Sequence, residues 1–159
     1  MTRLKIDFGI DLGTTNSGIA VYDSGKTKIY RTDTQRETMP SCVMVTKKGF
    51  MVGDKAFAQL AKDKKKSSGN PDFVSNIFIE FKRTMGNSIK HKTDTGSELS
   101  SEELSAEVLK TLKSYVDDEN VKSAIITIPA AFEMNQITAT KKAAELAGLE
   151  YVELVQEPY

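Results

Sequence analysis

The chain has little of what marks secreted, membrane-spanning or nucleic-acid-binding proteins. Its 159 residues include one cysteine, Cys42, so an internal disulfide is excluded and a reducing, cytoplasmic location is expected. No apolar run approaches the roughly 18 residues of a membrane-spanning helix. The 22 basic residues are matched by 22 acidic ones, and only four are arginine. The sequence therefore predicts binding to neither nucleic acid nor membrane.

The remaining composition is that of an ordinary globular α/β chain. Alternating apolar residues predict a strand over residues 4–10, a turn over 11–18, and antiparallel strands over 19–22 and 27–31. A buried-type strand over 124–128, a helix over 135–147 and a strand over 151–155 then predict a parallel β-α-β unit. The helix between these two parts begins after Ser100, because Ser100 and Glu103 form a capping-box pattern.

The middle of the chain is less regular. A hairpin is predicted over residues 40–52 and a helix from Asp54 to about residue 65. The four-residue spacing of Ile77, Phe81 and Met85 predicts a second helix over residues 73–85. The polar stretch 87–99 predicts a loop in which His91 is solvated, since no second His or Cys could share a metal with it.

The turn after the first strand carries the most chemistry. It places Asp11, Gly13, two threonine hydroxyls and a row of backbone N–H groups at one point. Such turns cradle phosphate oxygens, and a nearby carboxylate can hold Mg²⁺ through water. A solvent-exposed hairpin turn without function is the alternative for this segment alone. Glycine-rich phosphate loops of the G-x-x-x-x-G-K-[ST] and G-x-G-x-x-G types are absent from the sequence.

Five segments in register resemble the 70-kilodalton heat-shock chaperones, the DnaK-type family. They are IDLGTTNS at residues 10–17, FKRTMG at 81–86, EELSA at 102–106, ITIPA at 126–130 and QEP at 156–158. The resemblance implies the first lobe of an actin-like, ribonuclease H-like ATPase domain: a mixed sheet with flanking helices plus a small α+β subdomain. Residues 1–36 and 100–159 would form the inner subdomain and 37–99 the outer one. The second lobe and the peptide-binding domain would then belong to a longer protein.

The resemblance also implies a nucleotide site for ATP or ADP with Mg²⁺. Its phosphate-binding residues would be those of the first turn, namely Gly13, Thr14, Thr15 and Asn16. Asp11 would hold Mg²⁺ through water. Lys82 would reach the γ-phosphate and the attacking water, and Glu157 would lie near the hydrolytic water. Without the resemblance, Lys82 is a surface residue of a helix and Glu157 a turn residue.

Other positions concern communication with the rest of the protein. Pro129 matches a proline that signals the nucleotide state in the family. Ala131 and Ile137 stand where the family usually has an aromatic residue and an arginine, which places the usual interdomain coupling in question. The 87–99 segment is shorter than in the family, which leaves binding of a nucleotide-exchange factor open.

The leading interpretation is a chaperone fragment. The full-length protein would use Mg-ATP hydrolysis to grip and release unfolded or extended apolar peptides, with J-domain cochaperones as partners. This chain alone is expected to show no turnover and weak nucleotide affinity. Two alternatives remain. One is an actin-like sugar kinase, although Gly18 stands where those kinases commonly carry a basic residue. The other is a scaffold module of the same fold without hydrolysis.

Overall fold

The structure is a computed structural model that describes residues 7–157, and six strands precede the first helix. Within these residues the elements are β1 (Phe8–Leu12), β2 (Asn16–Asp23), β3 (Lys26–Tyr30), β4 (Met39–Pro40), β5 (Cys42–Thr46), β6 (Gly49–Val52), α1 (Asp54–Ala58), α2 (Leu60–Gly69), β7 (Ile77–Ile79), a 3-10 helix (Phe81–Thr84), β8 (Lys90–Lys92), β9 (Glu98–Ser100), α3 (Ser101–Ser114), β10 (Ser123–Ile128), α4 (Met134–Leu146) and β11 (Tyr151–Gln156). No helix within this part of the chain has the length and apolar character needed to cross a membrane.

The main sheet is mixed, with the strand order β11-β10-β1-β2-β3 and with β4 added beside β2. Strand β1 pairs antiparallel with β2 and parallel with β10, and β10 pairs parallel with β11. The predicted meander and the predicted parallel β-α-β unit are therefore confirmed. Leu4 and Ile6, which were assigned to the first strand from the sequence, lie outside the described residues.

The core lies between one face of this sheet and helix α3. Phe8, Ile10 and Leu12 point to the buried face of β1, whereas Gly9 and Asp11 alternate onto the exposed face. Helix α3 buries an apolar stripe that includes Leu104, Val108, Leu109 and Leu112. Burial of such large side chains contributes about 1.5–3 kcal/mol each.

The start of α3 is the predicted capping box. The Ser100 hydroxyl accepts a hydrogen bond from the Glu103 N–H at 3.1 Å, and the Glu103 carboxylate accepts one from the Ser100 N–H at 3.1 Å. Two of the N–H groups that a helix start leaves unpaired are thereby satisfied.

A smaller sheet of order β6-β5-β7 carries a second apolar cluster under α1. Cys42, Ala56 and Ile77 form this cluster, and Cys42 is 0 % exposed. Burial raises the pKa of the Cys42 thiol to about 12, because the apolar surroundings disfavour the thiolate.

The predicted helix over residues 73–85 is wrong. Residues Ile77–Ile79 form β7 and pair with β5, and Glu80 then adopts a left-handed backbone conformation with φ 54°. This residue ends the extended segment and turns the chain into the 3-10 helix. Pairing of β-branched residues with an existing strand outweighs the four-residue spacing on which the helix prediction rested.

Two neighbouring predictions also need correction. The helix from Asp54 is two short helices, α1 and α2, joined at Gln59. The predicted loop 87–99 contains the hairpin of β8 and β9, whose turn has Gly96 at φ 87°. His91 lies in this hairpin and is half-buried rather than solvated.

Candidate functional site

Three strand ends converge at one edge of the main sheet. Strands β1, β10 and β11 run parallel, so the segments that follow them lie side by side. These segments are the turn of residues 13–15, the turn that begins at Pro129, and Glu157. The N–H of Glu157 donates to the carbonyl of Ile128 at 2.8 Å, which fixes Glu157 beside the end of β10. Open α/β sheets bind ligands at this edge.

The turn between β1 and β2 requires glycine at residue 13. A Cβ atom there would lie 2.1 Å from the backbone oxygen of Asn16, closer than real atoms approach. Thr15 and Asn16 are exposed, and Gly13 and Thr14 are partly exposed. Asp11 is exposed one residue before the end of β1, opposite Thr127 in the register with β10. The turn is tight, and its polar groups are accessible to a ligand.

The buried Ser41 holds this turn from behind, and its hydroxyl contacts that of the buried Ser17. The Ser41 hydroxyl donates to the carbonyl of Gly13 at 2.8 Å, and the Ser41 N–H donates to the carbonyl of Thr15 at 2.8 Å. The hydroxyls of Ser17 and Ser41 are 2.8 Å apart. Sequence reasoning noted Ser17 as part of the turn but missed Ser41 and its contacts, because partners 24 or more positions apart leave no local pattern.

Lys82 is buried at the same edge, with 8 % of its surface exposed. It lies on the 3-10 helix, so the reading of Lys82 as a surface residue of a longer helix is wrong. Its ammonium group donates a hydrogen bond to the carbonyl of Leu12 and lies 5.4 Å from the centre of the Phe132 ring. These contacts hold the ammonium group at the end of β1, directly before the turn of residues 13–15.

The charges around Lys82 partly compensate its burial. Burial lowers the pKa of the Lys82 ammonium, and the carboxylates of Asp11 and Glu157 act in the opposite sense. The structure therefore brings Asp11, Lys82 and Glu157 into electrostatic range of one another. An ammonium group at this edge can form a charge-assisted contact with an anion that binds there.

The donor set matches a hydrated metal ion better than a metal enclosed by protein ligands. In residues 7–157 there is no group of three or more His, Cys, Asp or Glu side chains placed to hold a metal ion. Mg²⁺ keeps several waters and is usually bound through one or two carboxylates together with substrate phosphates. The exposed carboxylate of Asp11 beside the turn fits that mode of binding.

The turn after β10 contacts the segment that carries Lys82. The N–H of Phe132 donates to the carbonyl of Pro129 at 3.1 Å, which closes the turn. The Asn135 amide then donates to the carbonyl of Gly86 at 3.1 Å. Phe132 and Asn135 thus connect the end of β10 and the start of α4 to the two ends of the Lys82 segment.

Two of the positions at which the sequence departs from the family lie nearby. Ala131 is exposed, and Ile137 is half-buried on α4.

His91 supports the other side of the same segment. Its Nε2 atom lies 3.2 Å from the hydroxyl of Thr84 on the 3-10 helix and 3.2 Å from the hydroxyl of Ser101 on α3. The ring meets Phe78 edge-on at 5.7 Å. Burial lowers the pKa of the His91 imidazole.

Comparison with known proteins gives one consistent family. The family described as "Hsp70 protein" matches residues 7–159. The chaperone protein DnaK of Methanothermobacter thermautotrophicus is 39 % identical over 99 % of this chain and 26 % of its own length. DnaK of Mycoplasmopsis agalactiae is 36 % identical over 97 % of the chain and 24 % of its own length, and that of Guillardia theta 38 % over 94 % and 27 %. The chain spans about a quarter of the length of these relatives.

Proposed function

The chain belongs to the Hsp70 family, within the amino-terminal ATPase region of DnaK-type chaperones, and we propose that its sheet edge binds the phosphates of Mg-ATP. The family has an actin-like ATPase fold, with which the mixed sheet and its flanking helices agree. The observation that carries the proposal is the convergence of an exposed, glycine-dependent turn with Asp11, Lys82 and Glu157 at the ends of parallel strands.

In this proposal each group has a separate task. The N–H groups and hydroxyls of residues 13–16 bind the β- and γ-phosphates, as backbone turns bind anions elsewhere. Lys82 offsets the charge that develops on the transferred phosphoryl group, which is the main requirement of this chemistry. Glu157 orients the attacking water. The buried position of Lys82 supports its role, because a cation shielded from water interacts more strongly with phosphate.

Mg²⁺ would be held by Asp11 through water and by the phosphates. When bound, it supplies positive charge that neutralises the phosphate oxygens. Asp11 suits binding of Mg²⁺ through water, because the residue is exposed beside the turn and β1 contains no second carboxylate.

We further propose that residues 7–36 and 100–157 belong to the inner subdomain of the first lobe and residues 37–99 to the outer one. The separate β6-β5-β7 sheet supports this division. The full-length protein would couple ATP hydrolysis to binding and release of extended apolar peptides together with J-domain cochaperones. Pro129 would report the nucleotide state. The cytoplasmic location and the lack of turnover by this chain alone stay predictions.

A non-hydrolysing scaffold is the second candidate function. Ala131 and Ile137 favour it, because neither can make the aromatic or charged contacts that the resemblance associates with interdomain signalling. The family match disfavours the sugar-kinase alternative.

Titration of the ¹⁵N-labelled chain with magnesium pyrophosphate, and then with Mg-ATP, tests phosphate binding. The amide signals of residues 13–16 should shift and saturate, whereas those of the β2–β3 hairpin tip should not. In Asp11→Asn the response to pyrophosphate should lose its dependence on magnesium. Asp23→Asn is the matched control, since Asp23 is exposed at the opposite end of β2.

Two results would contradict the proposal. One is the absence of any shift at residues 13–16 in the folded wild-type chain at millimolar ligand. The other is an equal effect of the two aspartate substitutions, because the magnesium dependence would then arise from net charge and not from the turn.

A further inference from the structure

We propose that Ser41 is a positioning residue that aims the N–H groups of Thr14 and Asn16 at bound phosphate. This inference rests on the proposed function, because it assigns to that site a residue from outside the turn. Ser41 lies between β4 and β5, 28 positions beyond Gly13, and its side chain does not belong to the exposed surface of the turn.

The hydrogen positions at this cluster follow from counting protons. A serine hydroxyl has one proton to donate, and that of Ser41 goes to the carbonyl of Gly13. The contact between the two hydroxyls must therefore be donated by Ser17 and accepted by Ser41. Ser17 is 0 % exposed and Ser41 3 % exposed, so water does not offer either hydroxyl a ready alternative. The direction Ser17 to Ser41 to Gly13 is thus fixed.

The planarity of the peptide group converts these bonds into an orientation of the turn. In a trans peptide the C=O and the N–H of the next residue point in opposite directions, and no cis peptide occurs in residues 7–157. The Gly13 carbonyl shares its plane with the Thr14 N–H, and the Thr15 carbonyl shares its plane with the Asn16 N–H. Because Ser41 holds both carbonyls, both N–H groups point away from Ser41.

Preorganised donors bind an anion better than donors that must first rotate into place. The Ser41 backbone N–H holds one of the two peptide planes, and its side-chain hydroxyl holds the other. Loss of that hydroxyl frees the Gly13–Thr14 plane, while the Thr15–Asn16 plane stays restrained. We therefore expect weaker binding of phosphate with the largest change at Thr14.

The serine pair offers a matched control for this effect. Ser41→Ala removes the bond to Gly13 and leaves Ser17 without its acceptor. Ser17→Ala removes a buried hydroxyl of the same cluster but keeps the bond from Ser41 to Gly13. Both variants should lose thermal stability, since each disrupts a buried hydrogen bond. Only Ser41→Ala should change the turn itself.

The experiment measures the dissociation constant of magnesium pyrophosphate by NMR for the wild-type chain and both variants. In Ser41→Ala it should rise roughly fivefold, the equivalent of one hydrogen bond, and the Thr14 amide proton should already be shifted without ligand. In Ser17→Ala it should stay within about twofold of wild type. Ser41→Cys keeps a weak donor and should lie between wild type and Ser41→Ala.

The outcomes separate this inference from the function on which it rests. Ser41→Ala that binds as tightly as wild type overturns the role of Ser41. Equal weakening in Ser17→Ala and Ser41→Ala also overturns it, because general loosening would then explain both. If Ser41→Ala does not fold, a folded Ser41→Cys with wild-type affinity and an unshifted Thr14 amide has the same meaning. A wild-type chain that binds no pyrophosphate overturns the proposed function instead.

Discussion

Replacement of Gly86 by alanine should destabilise the chain more than its backbone conformation alone explains. Gly86 follows the 3-10 helix with φ 81°, and an added Cβ would lie 2.7 Å from the carbonyl oxygen of Asn135 and 3.0 Å from the backbone nitrogen of Gln136. Gly25 is the matched control, since it has φ 80° and no atom within 4 Å of the added Cβ.

The structure allows the two costs to be separated. A left-handed conformation costs a residue with a Cβ about 1–2 kcal/mol, and this applies to both glycines. Overpacking against a helix start adds about 1–3 kcal/mol at Gly86 alone, because the contacted atoms belong to the backbone and cannot rotate away. Gly25→Ala should therefore lower the free energy of unfolding by about 1–2 kcal/mol, and Gly86→Ala by about 2–5 kcal/mol.

Urea unfolding followed by circular dichroism measures this difference directly. For a chain of this size each kcal/mol corresponds to about 2–4 °C in melting temperature, so the two variants should melt about 2–12 °C apart. Equal losses in the two variants would refute the reasoning, since they would mean that the Gly86 segment does not pack against the start of α4. A change in the urea m value would indicate altered compactness rather than a local clash.

Three further predictions follow from other contacts. Lys82→Met in the full-length protein should lower the ATP hydrolysis rate about 100-fold. The melting temperature of this chain should stay equal or rise, because the substitution removes a charge that burial disfavours. An unchanged hydrolysis rate would exclude the role assigned to Lys82. The stability that the neutral His91 contributes should be complete above its ordinary pKa of 6.5 and lost as pH falls through its lowered folded-state pKa. Between pH 7.5 and pH 5.5 the urea midpoint should therefore fall less in His91→Gln than in wild type. Ser100→Ala should lower the free energy of unfolding by about 1 kcal/mol through loss of the cap, measured by urea unfolding, and no loss would contradict the capping box.

The parts of the fold that were predicted correctly are those with strong local patterns. The capping box and the apolar spacing determine where α3 begins and which face it buries, and both depend on residues within one or two helical turns. The unit of β10, α4 and β11 was also clear, because a buried strand, a helix with a glycine stop and another strand are each long enough to recognise.

The errors occur where tertiary pairing decides the structure. Strand β7 has three residues and forms because β5 is there to pair with it. Strands β8 and β9 also have three residues each, too few for an alternating pattern to be distinguished from a polar loop. The spacing of Ile77, Phe81 and Met85 is therefore real as a pattern of burial but does not indicate a helix.

The candidate site shows the same division. The turn of residues 11–17 can be recognised from sequence because carboxylate, glycine and hydroxyls are adjacent. The burial of Lys82 and the electrostatic influence of the Asp11 and Glu157 carboxylates on it depend on residues 70 or more positions apart, and only the family resemblance pointed to Lys82. Ser41 had no such indication, since its partners are a carbonyl and a second serine.

The rate at which the buried Cys42 is labelled can report local opening of the β6-β5-β7 sheet. Cys42 is the single thiol of the sequence, it is fully enclosed in the small cluster under α1, and its high pKa keeps it protonated at neutral pH. A thiol reagent can therefore label it only after β5 separates from its neighbours. The labelling rate then reports the local opening of the β6-β5-β7 sheet, without any engineered probe. If a bound phosphate ligand slows labelling, the turn that Ser41 holds and the β6-β5-β7 sheet open together.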